Sequence, residues 1–153
     1  MTSLELKIPP DVVALVVAGL MWLVFTVTPR LNVSIGYRVF AAAALALLGL
    51  LLLAAAKVAL GRAHTTGDAR HPGSARHLVT GGVYRVTRNP IYLAMTLLLL
   101  AWAASLSNLV SACVSASFAL YIQRFQIRPE ERVLGSRFGQ SFMYYARRVR
   151  RWL

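Results

Sequence analysis

Acidic residues are scarce in this sequence. Five Asp and Glu stand against 17 Lys and Arg in 153 residues, a formal net charge of +12. Cysteine is scarcer still. Cys113 is alone, so no internal disulfide is available and no Cys/His ligand cluster exists. Its default reading is a small buried hydrophobe. His64, His71 and His77 share one loop, but their spacings of seven and six match no common ligand pattern, so no metal site is expected. No nucleophile–base constellation is present either, which argues against a covalent enzyme intermediate. Charge of either sign is missing from three long stretches, 12–29, 39–56 and 89–123, the last of 35 residues.

Those uncharged stretches carry most of the 58% apolar content. A bilayer core of ~30 Å takes about 20 helical residues per crossing, and a soluble core helix would show a polar face that these lack. Stretches one and two each make one span, about 11–28 and 38–60. The third is too long for one helix, and Ser105-Leu106-Ser107-Asn108 is its only polar break. Ser and Asn suit caps and tight turns, so it reads as a hairpin of helices over 90–106 and 109–126. The expected fold is all-α: one integral membrane domain over 1–153, about four transmembrane helices including a C-terminal hairpin. Glu5, Lys7 and Asp11 give no clear positive n-region and 26–29 is no small-residue cleavage site, so the first span is expected to stay. Gly19, Gly36, Gly49 and Gly61 are small positions where helices can approach closely, although no strict GxxxG occurs.

The positive charge is concentrated. Six basic residues fall within 57–88 and eight arginines within 124–151, against two, Arg30 and Arg38, between the first spans. The positive-inside rule then puts both termini and the loop 61–89 in the cytoplasm, at a bacterial inner membrane. Most of these arginines serve topology and attraction to anionic lipid headgroups. Nucleic acid is not an expected partner, because a basic soluble domain would not carry such spans.

Asn89-Pro90 begins the hairpin as a cap residue followed by a proline at the first helical position. The same helix start is a ready anion site. The tail 130–153 is amphipathic: Phe138, Phe142, Tyr145, Val149 and Trp152 recur at spacings of four, three, four and three, with arginines mainly off that stripe. It suits a helix lying in the membrane interface or one packed on the cytoplasmic ends of the spans.

Two motifs remain. Leu78-Val79-Thr80, Gly82, Tyr84, Arg85, Arg88, Pro90 and Tyr92 form the first. Glu130-Glu131, Leu134, Phe138-Gly139 and Tyr145 form the second, beyond the apolar hairpin. In that order they resemble the integral-membrane methyltransferases, which include isoprenylcysteine carboxyl methyltransferases and phospholipid N-methyltransferases. The likeness covers roughly half the chain, 78–152. Asn89 departs from the eukaryotic isoprenylcysteine enzymes, which carry His there, and this bears on the acceptor more than on methyl transfer.

The resemblance implies S-adenosylmethionine as methyl donor at the cytoplasmic ends of the last spans. The residues it assigns to that cofactor are His77, Leu78, Val79, Thr80, Gly82, Tyr84, Arg88, Asn89, Pro90, Tyr92, Glu130 and Glu131. Either glutamate can accept from the ammonium or ribose hydroxyls, and Arg88 can hold the carboxylate. Arg128 and Glu131 are the candidate catalytic residues, Arg128 to orient an acidic acceptor and a Glu to take a proton from an amine. The acceptor is lipid-like or hydrophobic, entering from the bilayer; isoprenylcysteine carboxylate and phospholipid amine both stay open, as does oligomeric state. Two other readings compete: a basic membrane protein that binds anionic lipid or a partner subunit without catalysis, and a sterol-reductase-like enzyme using NADPH, for which the chain is short.

Overall fold

A computed structural model describes residues 5–65 and 72–153, in which every regular element is helical. His71, one of the three loop histidines, lies outside the described residues. Helix α1 (Pro10–Val27) starts on a proline with Asp11 in its first turn, where a negative charge meets the helix dipole. Helix α2 (Ile35–Arg62) is longer than expected at both ends and finishes on Arg62, a charge suited to a helix C-terminus. Helix α3 (Pro90–Leu106) and α4 (Leu109–Ile122) form the expected hairpin. α1 lies against α4 and α3, and α2 lies against α3.

The hairpin turn is built by its polar break. Ser107 takes a left-handed conformation with φ of 50°. Asn108 caps α4 by accepting from the Ser111 N–H at 2.8 Å, and its amide donates to Thr28 Oγ1 and the Pro29 carbonyl. Ser107 and Leu31 exchange hydrogen bonds, N–H to carbonyl at 2.7 Å and hydroxyl to carbonyl at 3.1 Å. One Ser-Asn step thereby ties the turn to the loop after α1.

Helices α1 and α2 are long and apolar enough to cross a membrane, with mean hydropathies of 2.1 and 2.6. A soluble core helix would be mostly covered, whereas only 22% and 11% of these stretches are buried by the rest of the chain. Leu15, Leu23, Phe40, Leu47 and Leu51 are among the large apolar side chains left exposed. An apolar surface of this extent belongs against lipid. At 17 and 14 residues, α3 and α4 are shorter, so two of the described helices are by themselves long and apolar enough to span. Cys113, expected to be buried, is exposed on α4.

α2 and α3 approach closely at Gly49. A Cβ there would sit 3.1 Å from the Ala94 carbonyl and 3.2 Å from Leu98 Cγ, while at Gly19, Gly36 and Gly61 it would meet nothing within 4 Å. Of the four small positions, only Gly49 serves close approach. Gly49→Val should therefore lose about 1–3 kcal/mol by overpacking and melt lower in detergent, with Gly19→Val near wild type. Equal melting of the two variants would remove Gly49 as the contact.

The chain past α4 departs from expectation. Instead of stopping near 126, the helix continues through one wide turn, Gln123–Ile127, into α5 (Arg128–Phe138). Pro129 explains the wide turn. Proline has no N–H for the carbonyl four residues back and its ring crowds that carbonyl. The Phe125 carbonyl accepts instead from the Leu6 N–H at 3.1 Å, and the buried Gln126 amide donates to the Ile8 carbonyl at 2.6 Å. Glu5 adds ion pairs to Arg132 and Arg124 at 2.7 and 3.5 Å. The segment before α1 is thus fastened across the joint.

Nor is the tail one amphipathic helix over 130–153. It breaks at Gly139, whose φ of +53° favours glycine, and resumes as α6 (Gln140–Arg148). Phe142 and Tyr145 of the apolar stripe are buried in the protein, and the Trp152 indole donates to Gln123 Oε1 at 2.7 Å. Packing on the ends of the spans, rather than a free interfacial helix, accounts for these residues.

Candidate functional site

A cavity of about 470 Å³ opens where the C-terminal end of α2, the N-terminal end of α3, the start of α1 and helices α5 and α6 converge. Its wall includes His77, Leu78, Val79, Tyr84, Arg88, Asn89, Pro90, Tyr92, Glu130 and Glu131. Ten of the expected cofactor residues, from two segments some forty positions apart, therefore share one concavity. Thr80 and Gly82 are not on its wall. Gly82 has φ of +59° and opens the short helical turn Gly82–Arg85 that carries Tyr84. Arg128 lies elsewhere, in a neighbouring cleft of about 530 Å³ with Arg124, Arg132, Arg151 and Glu131. Glu131 lines both.

The two glutamates differ. Glu131 is ion-paired to Arg88 at 3.1 Å and to Arg151 at 2.6 Å, with Arg151 Nε donating to both its oxygens at 3.1 and 3.2 Å. This fork holds the Arg151 guanidinium's pKa above its usual value. Glu130 has one protein donor among the described residues, the Tyr92 hydroxyl at 3.0 Å. Burial pushes its carboxyl up to about 7; the Tyr92 hydrogen bond offsets part of that, and the Glu131 charge adds to it. Burial and Glu130 also raise Tyr84, and burial pushes Tyr145 up to about 12 against a lowering by Arg88.

Asn89 sits at the start of α3, yet its side chain caps nothing. Its amide donates to the Arg151 carbonyl at 2.8 Å, Thr87 Oγ1 donates to the same carbonyl, and the Arg88 N–H donates to the Arg150 carbonyl. The C-terminal segment is thus strapped over the helix start. The expected cap is corrected to a tie, because the strap supplies an acceptor where the amide stands. Arg88, expected to hold a carboxylate, commits one nitrogen to Glu131 but keeps a buried Nε with no partner among the described residues.

Several wall residues had no site role in the sequence reading: Pro10 and Asp11 from α1, Leu60, Met95, Leu134, Phe142 and Tyr145. Leu134 and Tyr145 lie within the second motif, which was the available signal. The Tyr145 hydroxyl donates to the Tyr84 carbonyl at 2.7 Å, pinning α6 to the turn that presents Tyr84. Asp11 had only the scarcity of acids to mark it.

A raised carboxyl has a sign that can be measured. Its folded pKa of about 7 exceeds the ordinary 4.5, so the folded state holds the proton more tightly. Stability should fall as pH rises from about 4.5 to about 7 and level off above that. The check is melting temperature against pH for wild type and Glu130→Gln. If the two profiles are parallel over that window, Glu130 is not the group that titrates.

The fold and cavity together define a helical membrane protein with a carboxylate-bearing pocket at one end of its apolar helices. The sequence profile of the phospholipid methyltransferase family matches residues 37–141, and the chain belongs to that family. It is also 43% identical over 63 residues to an uncharacterized protein of Haemophilus influenzae, a match covering 41% of this chain and all of that protein. No solved structure matches the chain.

Proposed function

We propose that the chain transfers a methyl group from S-adenosylmethionine to a lipid-like acceptor, at the cavity between α3 and α5. The observation that carries this is a pair of under-matched polar groups on the cavity wall: among the described residues, the Glu130 carboxyl has one donor and the Arg88 Nε has no acceptor. Residues and ligand fit in kind. An amino acid carries an ammonium for Glu130 and a carboxylate for Arg88, and charge-assisted pairs of this sort are the strong ones. Tyr84, Tyr92 and Tyr145 offer aromatic faces and hydroxyls. The volume of about 470 Å³ lies within the range of small-molecule sites.

The bound cofactor would supply an electrophilic methyl on a sulfonium. The protein's work is then to position the partners and exclude water. Arg88 and Glu131, locked together, hold the floor of the site in one arrangement. With a pKa near neutrality, Glu130 can bind a cation as carboxylate or take a proton from an acceptor amine. Arg128 belongs to the neighbouring cleft, so it would act on an acceptor reaching past Glu131 rather than within the cavity. The acceptor would enter from the bilayer, since α1 and α2 beside the cavity face lipid.

The direct test is transfer of tritiated methyl into a native membrane extract by purified protein, followed by identification of the labelled product. Thermal shift with S-adenosylhomocysteine against NADPH separates this reading from a reductase. Stabilisation by NADPH alone would overturn it.

We further infer four crossings, with both termini and the cavity in the cytoplasm at an inner membrane. In support, Leu6, Leu60 and Arg151 all stand at the cavity end. Reporter fusions after Leu60 and Leu153 should read inside, and one near Val33 outside. An external C-terminus would sink this topology.

A further inference from the structure

At the opposite end of the molecule, a groove of about 730 Å³ runs between α2 and α3. Small residues make it. Ala42, Ala43 and Ala46 stand on the α2 side, against Leu98, Ala101 and Trp102 of α3. The two helices touch backbone to side chain at Gly49, and the alanines beyond that contact leave the space between them unfilled. Arg38 and Ser105 close the groove at its outer end.

Among the described residues, Arg38 has no counterion. Its Nη2 donates to the Ser105 carbonyl at 2.5 Å, and its Nε is buried with no partner among the described residues. Nor is a carboxylate within reach along the nearby chain. No Asp or Glu occurs between Asp11 and Asp68, nor between Asp68 and Glu130. The four described acids are accounted for at the other end: Asp11, Glu130 and Glu131 on the cavity wall, and Glu5 on Arg124 and Arg132. A guanidinium half-sunk beside an apolar groove needs an anion to be neutralised, and none of the described carboxylates stands there.

We propose that this groove binds one acyl chain of an anionic phospholipid from the leaflet opposite the cavity, with the lipid phosphate on Arg38. Each part of the lipid has a matching part of the site. The alkyl chain lies along alanine, leucine and tryptophan surface that α2 and α3 present to the bilayer. The phosphate meets a planar, fixed charge at the mouth, where an arginine binds better than a lysine. This lipid is structural, not an acceptor, since it sits at the far end of both helices from Glu130. Its binding would fill the space between α2 and α3 and stiffen the pair that carries the Asn89–Tyr92 segment.

The test uses phosphatidylglycerol and phosphatidylcholine, each with a photoreactive diazirine in mid-chain, in nanodiscs of otherwise unlabelled phosphatidylcholine. Cross-linked peptides are mapped by mass spectrometry. The expected result is labelling concentrated on 35–46 and 98–105, several-fold stronger with phosphatidylglycerol. Arg38→Gln should remove that headgroup preference, and Arg38→Lys should keep part of it. Ala42→Leu with Ala46→Leu should remove the groove labelling while the melting temperature holds. Labelling spread evenly around α2, or a headgroup preference unchanged in Arg38→Gln, would overturn the proposal. So would cross-links between two copies of the chain through 35–46, which would make the occupant a second protomer. None of these readouts depends on methyl transfer.

Discussion

Glu130→Gln is expected to lower affinity for S-adenosylmethionine at least about tenfold while leaving the fold as stable as wild type or more so. The two halves of that result have separate causes. A charge-assisted hydrogen bond to a bound ligand is worth about 1.5–3 kcal/mol, and Glu130 is the glutamate on the cavity wall that pairs with no arginine among the described residues. Its ionised form is disfavoured by burial, which is why its carboxyl sits near 7. An amide of the same shape keeps the Tyr92 contact and removes that penalty, most visibly above pH 7. Tyr92→Phe should weaken binding less, because it takes away one donor to Glu130 and no charge. Calorimetry on detergent-purified protein, beside melting curves, reads both quantities. If Glu130→Gln binds as wild type does with its folding intact, Glu130 is not a cofactor ligand.

Much of this architecture was legible before any coordinates, and the reasons are local. Uncharged runs mark bilayer-facing helices because lipid admits no polar face, so α1, α2 and the hairpin could be drawn from residue types. The Ser-Asn break at 107–108 specifies its turn through its own side chains. What stayed hidden depended on contacts between distant segments. Asn89-Pro90 reads as a cap, and nothing nearby reveals that the C-terminal strap carries the Arg151 carbonyl to that amide. Likewise the wide turn before Pro129 takes shape with Leu6 and Ile8 as partners from the other end of the chain. The Glu130-Glu131 pair stood out as a candidate site, whereas the different surroundings of its two carboxyls did not show. Adjacent residues on a helix point about 100° apart, so Glu131 meets the arginines and Glu130 meets Tyr92.

That difference predicts the opposite phenotype for the neighbouring residue. Glu131→Gln should cost roughly 2–3 kcal/mol of stability, with affinity lost only as far as the site loosens. Side-chain exposure is 13% for Arg88 and 16% for Glu131, so removing the carboxylate strands a mostly covered guanidinium. Arg151 is 34% exposed, and solvent screening there keeps the figure below that of a fully buried network. A loss of this size lowers melting by about 4–12 °C in a chain of this length. Arg151→Ala should cost less, and the double variant less than the sum, because both substitutions break one fork. The C-terminal strap should fray in step, since its ties to Arg88 and Asn89 are backbone carbonyls that the fork holds in place. Limited proteolysis after Arg148 gives a readout independent of ligand. Should Glu131→Gln instead melt as wild type does and fail to bind S-adenosylmethionine, the roles of the two glutamates are reversed, and the Arg88–Glu131–Arg151 cluster is a ligand site rather than the tie that shapes one.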